Sequence, residues 1–135
     1  MLDNLTKFVD LPSRALMASL FLLSGVGKIA NFSETQGYME AFGLPGFMLV
    51  PTIVFEIATS ILILIGLGTR FVALSLAGFC LLSAMIFHRN FGDQIQMIMF
   101  LKNLVMAGGF LMLAKAGAST WSVDGLRESR KVGRS

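Results

Sequence analysis

The sequence predicts an all-α integral membrane protein, a bundle of four transmembrane helices with both termini on the cytoplasmic side. Three observations carry this. Hydrophobic residues make up 55% of the 135 and charged residues only 14%, against about 25% charged in an ordinary soluble domain. Four apolar runs reach the roughly 17–25 residues that a helix needs to cross hydrocarbon. Lys and Arg gather on one side of those runs, the bias that marks the cytoplasmic side.

The first run covers 12–30 and the second 47–67, with Pro51 in its first turn, where a missing N–H costs little. The third covers 71–87 and has no charge, so it has no hydrophilic face to show to water. The fourth covers 95–114. Four spans cannot close a barrel, and every backbone amide in lipid needs an internal partner, so each is a helix.

The connections follow. Gly66-Leu67-Gly68-Thr69-Arg70 is short enough to make spans two and three a tight hairpin. The loop 31–46 is longer and ends in the turn signal Gly43-Leu44-Pro45-Gly46. Residues 88–94 form a short polar connection. Residues 1–126 are read as one transmembrane domain and 127–135 as a disordered basic cytoplasmic tail, with Trp121 as an interface anchor.

Orientation comes from counting. The N-terminus, the second connection and the tail hold eight Lys and Arg, and the opposite side holds three, Lys28, Arg89 and Lys102. An internal echo is also visible: Leu22-Leu23-Ser24 with Asn31-Phe32 is repeated by Leu81-Leu82-Ser83 with Asn90-Phe91. Two helical hairpins in parallel repeat would produce it, and so would chance.

Composition excludes several classes. One cysteine, Cys80, leaves no intrachain disulfide, no CxxC chemistry and no Cys-based zinc site within one copy. It lies with Ala73, Ala77 and Ala84 in a stripe of small residues that reads as a helix contact. No second His or neighbouring carboxylate suggests a metal site. No basic-aromatic interleaving points to nucleic acid. The first apolar run does not end in a signal-peptide cleavage site.

The chemistry is expected where ionisable residues sit at membrane depth, because their cost there demands a reason. Glu56 lies midway along span two, with Thr52, Thr59 and Ser60 at helical spacing on its face. A carboxylate in such a site is either protonated or paired with a cation. The candidate cations are Lys102, followed by Asn103, on span four, and Lys28, below Ser24 and Gly25, on span one. Glu56, Lys102, Asn103 and Lys28 are expected to converge in the outer half of the bundle, with His88 and Arg89 at its rim. Arg14 opens span one and is expected to snorkel to the headgroups. The plain alternative is that a Glu–Lys pair only fixes helix packing.

Taken in order, Arg14, Phe21-Leu22-Leu23-Ser24-Gly25-Val26-Gly27-Lys28-Ile29, Phe55-Glu56-Ile57, Ile65-Gly66-Leu67-Gly68-Thr69-Arg70 and Phe100-Leu101-Lys102-Asn103-Leu104 resemble the DoxX family of small bacterial inner-membrane proteins over about residues 10–125. The resemblance implies a four-helix fold in the bacterial plasma membrane. It also implies association with membrane redox or oxidative-stress assemblies, with Arg14, Lys28, Glu56, Lys102 and Asn103 at the matching positions.

Three functions compete. In the first, the chain is an accessory, non-catalytic subunit of a membrane oxidoreductase, and a quinone meets Glu56, Lys102 and Lys28. No cofactor is covalently bound, and the electrons come from a partner, because the sequence has no haem-spaced His pair or dinucleotide fingerprint. In the second, it is a proton-coupled transporter, similar in size to the small multidrug resistance family. In the third, it is a scaffold whose basic tail contacts anionic lipid or a cytoplasmic partner. A homo-oligomer is compatible with all three.

Overall fold

The computed structural model describes residues 2–118 and 122–134, so Trp121 lies outside the described residues. The described residues are helical, without strands: α1 (Leu2–Ala30), α2 (Phe32–Ala41), α3 (Leu49–Ile65), α4 (Thr69–Phe87), α5 (Gln94–Ala116) and α6 (Val123–Arg134). Four stretches, within α1, at Gly46–Ile65, in α4 and in α5, are long and apolar enough to cross a membrane. These are the four expected spans.

Three elements differ in extent from the sequence reading. Helix α1 runs back through Pro12 to Leu2, ten residues before the start assigned to the first span. The loop 31–46 contains α2, a short polar helix that buries Met39, and then a turn at Gly43 and a 3-10 turn at Gly46–Met48. Residues 123–134, read as the end of the domain and a tail, are drawn as helix α6.

The chain divides into two compact units, Met1–Ile65 and Gly66–Ser135. In the first unit α1 and α3 pack antiparallel: Lys28, late in α1, meets Glu56, and Arg14 meets the end of α3. In the second, α4 and α5 do the same, with Arg70 at the end of α5 and His88 beside Gln96.

The buried positions explain the pairing. On α1 they are Arg14, Ala18, Phe21 and Gly25, and on α3 they include Leu49, Ile53, Glu56, Ser60 and Ile63. Both stripes step by four and three residues, the seam spacing of helices that pack side by side at a shallow angle. Gly25 lets α1 come close: a Cβ there would lie 2.6 Å from Ile57 Cγ1 and 3.5 Å from Glu56 Cβ. Helix α4 buries Thr69, Ala73, Leu76 and Cys80 in the same rhythm, Cys80 among small residues as expected.

Candidate functional site

The site is built on the seam of the first unit. Glu56 occupies a buried position of α3 and is only 2% exposed. Lys28 continues the α1 stripe by one more step of three after Gly25. Its ammonium donates to both carboxylate oxygens of Glu56, at 2.9 and 3.0 Å, and to Ser24 Oγ at 2.7 Å. The Ser24 hydroxyl in turn lies 3.4 and 3.3 Å from the same two oxygens, long contacts that hold its proton loosely. An ammonium, a hydroxyl and a carboxylate are thus gathered within one turn of α1 and one position of α3. The charge of Glu56 is met inside the unit, which removes the cost of a bare carboxylate at membrane depth.

Accessibility is unequal across the pair. The Glu56 side chain is 3% exposed and the Lys28 side chain 25%. The Lys28 side chain is the more open member of the pair and the carboxylate its closed floor. The three N–H groups of the ammonium are engaged by Glu56 and Ser24, so an incoming oxygen acceptor takes the Ser24 O–H, or takes one N–H in place of a present partner.

The other hydroxyls expected beside Glu56 turn to their own helix. Thr59 Oγ1 donates to Phe55 O at 2.6 Å, Ser60 Oγ to Glu56 O, and Thr52 Oγ1 to Met48 O at 2.8 Å. These are back-bonds to carbonyls one turn earlier, the usual way for a mid-helix hydroxyl to satisfy itself. They leave Ser24 as the hydroxyl that meets the carboxylate.

Arg14 does not snorkel to the headgroups. It is 0% exposed. Its Nε donates to Asp10 Oδ2 at 2.9 Å and its Nη1 to Ile63 O and Leu64 O at 3.1 and 2.8 Å. The last carbonyls of a helix lack intrahelical partners and carry the negative end of its dipole. A guanidinium that reaches them while paired to Asp10 is satisfied without leaving the protein. Arg70 does the same in the second unit, donating to the carbonyls of Ala114, Lys115 and Ala116 at the end of α5.

The remaining candidates belong to the second unit. Lys102 is exposed on α5, and Asn103 is half-buried, with Nδ2 donating to Met99 O at 3.0 Å. His88 Nδ1 lies 2.8 Å from Gln96 Oε1, and Arg89 is exposed beside it. Among the described residues no group of three His, Cys, Asp or Glu could hold a metal ion.

The comparisons fit this geometry. The family model for DoxX matches residues 9–89, more than half of the chain. The chain belongs to the DoxX family. The matched stretch takes in Arg14, Ser24, Lys28 and Glu56. Two Escherichia coli K12 proteins are similar to this DoxX chain over most of their length. The inner membrane protein YqjF is 48% identical over 86% of this chain and 89% of its own. The inner membrane protein YphA is 35% identical over 83% of this chain and 85% of its own. No solved structure matches the chain significantly. With four helices able to span a bilayer, the chain is a DoxX-family inner membrane protein.

Proposed function

We propose that this protein is an accessory subunit of a membrane redox system and that Lys28, Ser24 and Glu56 receive the polar head of a quinone-like molecule. The observation that carries the reading is the asymmetry of the pair, a shut carboxylate beside a partly open lysine side chain. A quinone is an apolar body with carbonyl oxygens at its head. Its carbonyl accepts from the loosely held Ser24 hydroxyl, or from the Lys28 N–H that now meets Ser24 Oγ, and its ring and tail stay in hydrocarbon.

Reduction of a quinone to the quinol takes two electrons and two protons. The electrons come from a partner oxidoreductase. The protons are delivered one at a time through Lys28, which recovers each from water. The family resemblance and the relatives' inner-membrane location support this setting. We also propose that both termini face the cytoplasm, from the eight Lys and Arg on that side against three on the other.

A second reading has its own observation. Arg14 and Lys28 both stand on the α1 seam and both satisfy groups of α3. The ion pair can therefore serve only to join the two helices. The test is equilibrium binding of a short-chain benzoquinone to the protein in nanodiscs, wild type against Glu56→Gln and Ser24→Ala, each checked for native melting. Weakened binding in folded variants supports the ligand site. Unchanged binding, or none in the wild type, leaves the packing role.

A further inference from the structure

Helix α6 is fixed at one end only. The Asp124 amide donates to Gly66 O at 2.9 Å, and the Asp124 carboxylate accepts from the amides of Gly68 and Thr69, both at 2.8 Å. Ser122 Oγ accepts from the Gly125 amide at 2.9 Å and caps the new helix. Ser122 and Gly125 are buried, but from Leu126 to Lys131 every residue is exposed. Past its first turn, the described residues of the helix through Lys131 are not covered by the rest of the second unit.

A helix this short is marginal in water without a surface to pack against. Its own residues make it worse. Arg127, Arg130 and Lys131 fall on one face at spacings of three and four, the sequence continues that register to Arg134, and Glu128 is the single acid between them. Like charges at that spacing repel and destabilise an isolated helix. A surface of negative charge would reverse the sign of this effect.

The chain puts such a surface within reach. Arg70 holds the last carbonyls of α5 beside the start of α4, so the ends of these two spans lie together. The Asp124 contacts pin the start of α6 to that same α4 terminus. The basic face therefore begins beside the ends of two helices long and apolar enough to cross a bilayer, where a span's end meets the headgroup layer and a Debye length of about 8 Å reaches lipid phosphate. We infer that α6 is a lipid-binding element that lies on the membrane surface and binds anionic phospholipid headgroups through Arg127, Arg130 and Lys131. Each basic residue near such a surface is worth about a fivefold change in partitioning.

The test is amide hydrogen exchange over 126–131, with the full chain in nanodiscs of zwitterionic lipid alone or with added phosphatidylglycerol. Anionic lipid is expected to slow exchange there at least tenfold. High salt, or the triple variant Arg127→Gln, Arg130→Gln, Lys131→Gln, is expected to remove that protection. The exchange of α4 and α5 should stay unchanged and serves as the folding control. Equal exchange in the two lipids overturns the inference. So does protection that appears only when a soluble acidic protein is added.

Discussion

Lys28 Nζ sits almost equidistant from the two carboxylate oxygens of Glu56, at 2.9 and 3.0 Å, and joins the end of one membrane helix to the middle of another. The two partners are not equivalent. Removing the ammonium leaves an uncompensated charge at a buried position, whereas Glu56→Gln removes the charge and keeps the shape. Lys28→Met should cost about 3–5 kcal/mol, and Glu56→Gln should cost less. The double variant should cost less than the sum. Melting of the purified protein in detergent, arranged as a double-mutant cycle, measures this. Additive effects would mean that the two groups are not coupled.

Gly25 and Gly27 separate packing from helix propensity. A Cβ at Gly25 meets Ile57 Cγ1 at 2.6 Å, whereas a Cβ at Gly27 meets nothing within 4 Å. Gly25→Ala should force α1 away from α3 and cost about 1–3 kcal/mol. Gly27→Ala should be neutral or stabilising by up to about 1 kcal/mol. The same melting experiment compares them. Equal effects would contradict the close approach of α1 to α3.

Arg14 is held by geometry as well as by charge. Its fork serves Asp10 and two carbonyls at once. A lysine presents a point charge on a flexible stem and cannot reproduce this. Arg14→Lys is expected to destabilise by about 2 kcal/mol, typical of losing hydrogen bonds to a charged group. A side chain that only snorkelled would accept lysine without loss.

The phase of the buried stripes accounts for what was legible in the sequence. Hydropathy alone predicts the four spans, because lipid demands long apolar helices. The site is partly legible. Glu56, Lys28 and Lys102 all stand out as costly residues at membrane depth. Stepping by four and three residues from Arg14 gives Ala18, Phe21, Gly25 and Lys28, and stepping back from Ala107 gives Asn103, one position from Lys102. Buried Phe110 follows that phase, and Lys102 is exposed. This rhythm picks out Lys28 as a seam residue. Ser24, one turn before Lys28, is marked in the sequence only by that spacing. The Arg14 contacts were hidden, because helix-end carbonyls leave no mark in a sequence.

The latch of α6 should respond to acid. Burial pushes the Asp124 carboxyl up, but hydrogen bonding from Thr69 and from the Gly68 amide, with the charge of Arg127, outweighs it and holds the group below its ordinary 3.8. A lowered carboxyl stabilises docking at pH above its free value, and that stabilisation is lost as pH falls below about 3.8. Hydrogen exchange of the Gly68 and Thr69 amides, corrected for the intrinsic pH dependence of exchange, should show less protection at pH 3 than at pH 5. At neutral pH, Asp124→Asn should weaken their protection. Protection that is indifferent to both pH and Asp124→Asn would contradict the latch.

The most direct measurement of the proposed function is photo-crosslinking with an azido-quinone in native membranes, followed by peptide mapping. Label is expected on the α1 and α3 peptides that carry Ser24, Lys28 and Glu56. Excess unlabelled quinone should compete it away, and folded Glu56→Gln should lose it. Label spread over lipid-facing positions and insensitive to competition would contradict the account and leave Lys28 and Glu56 as a helix-joining pair.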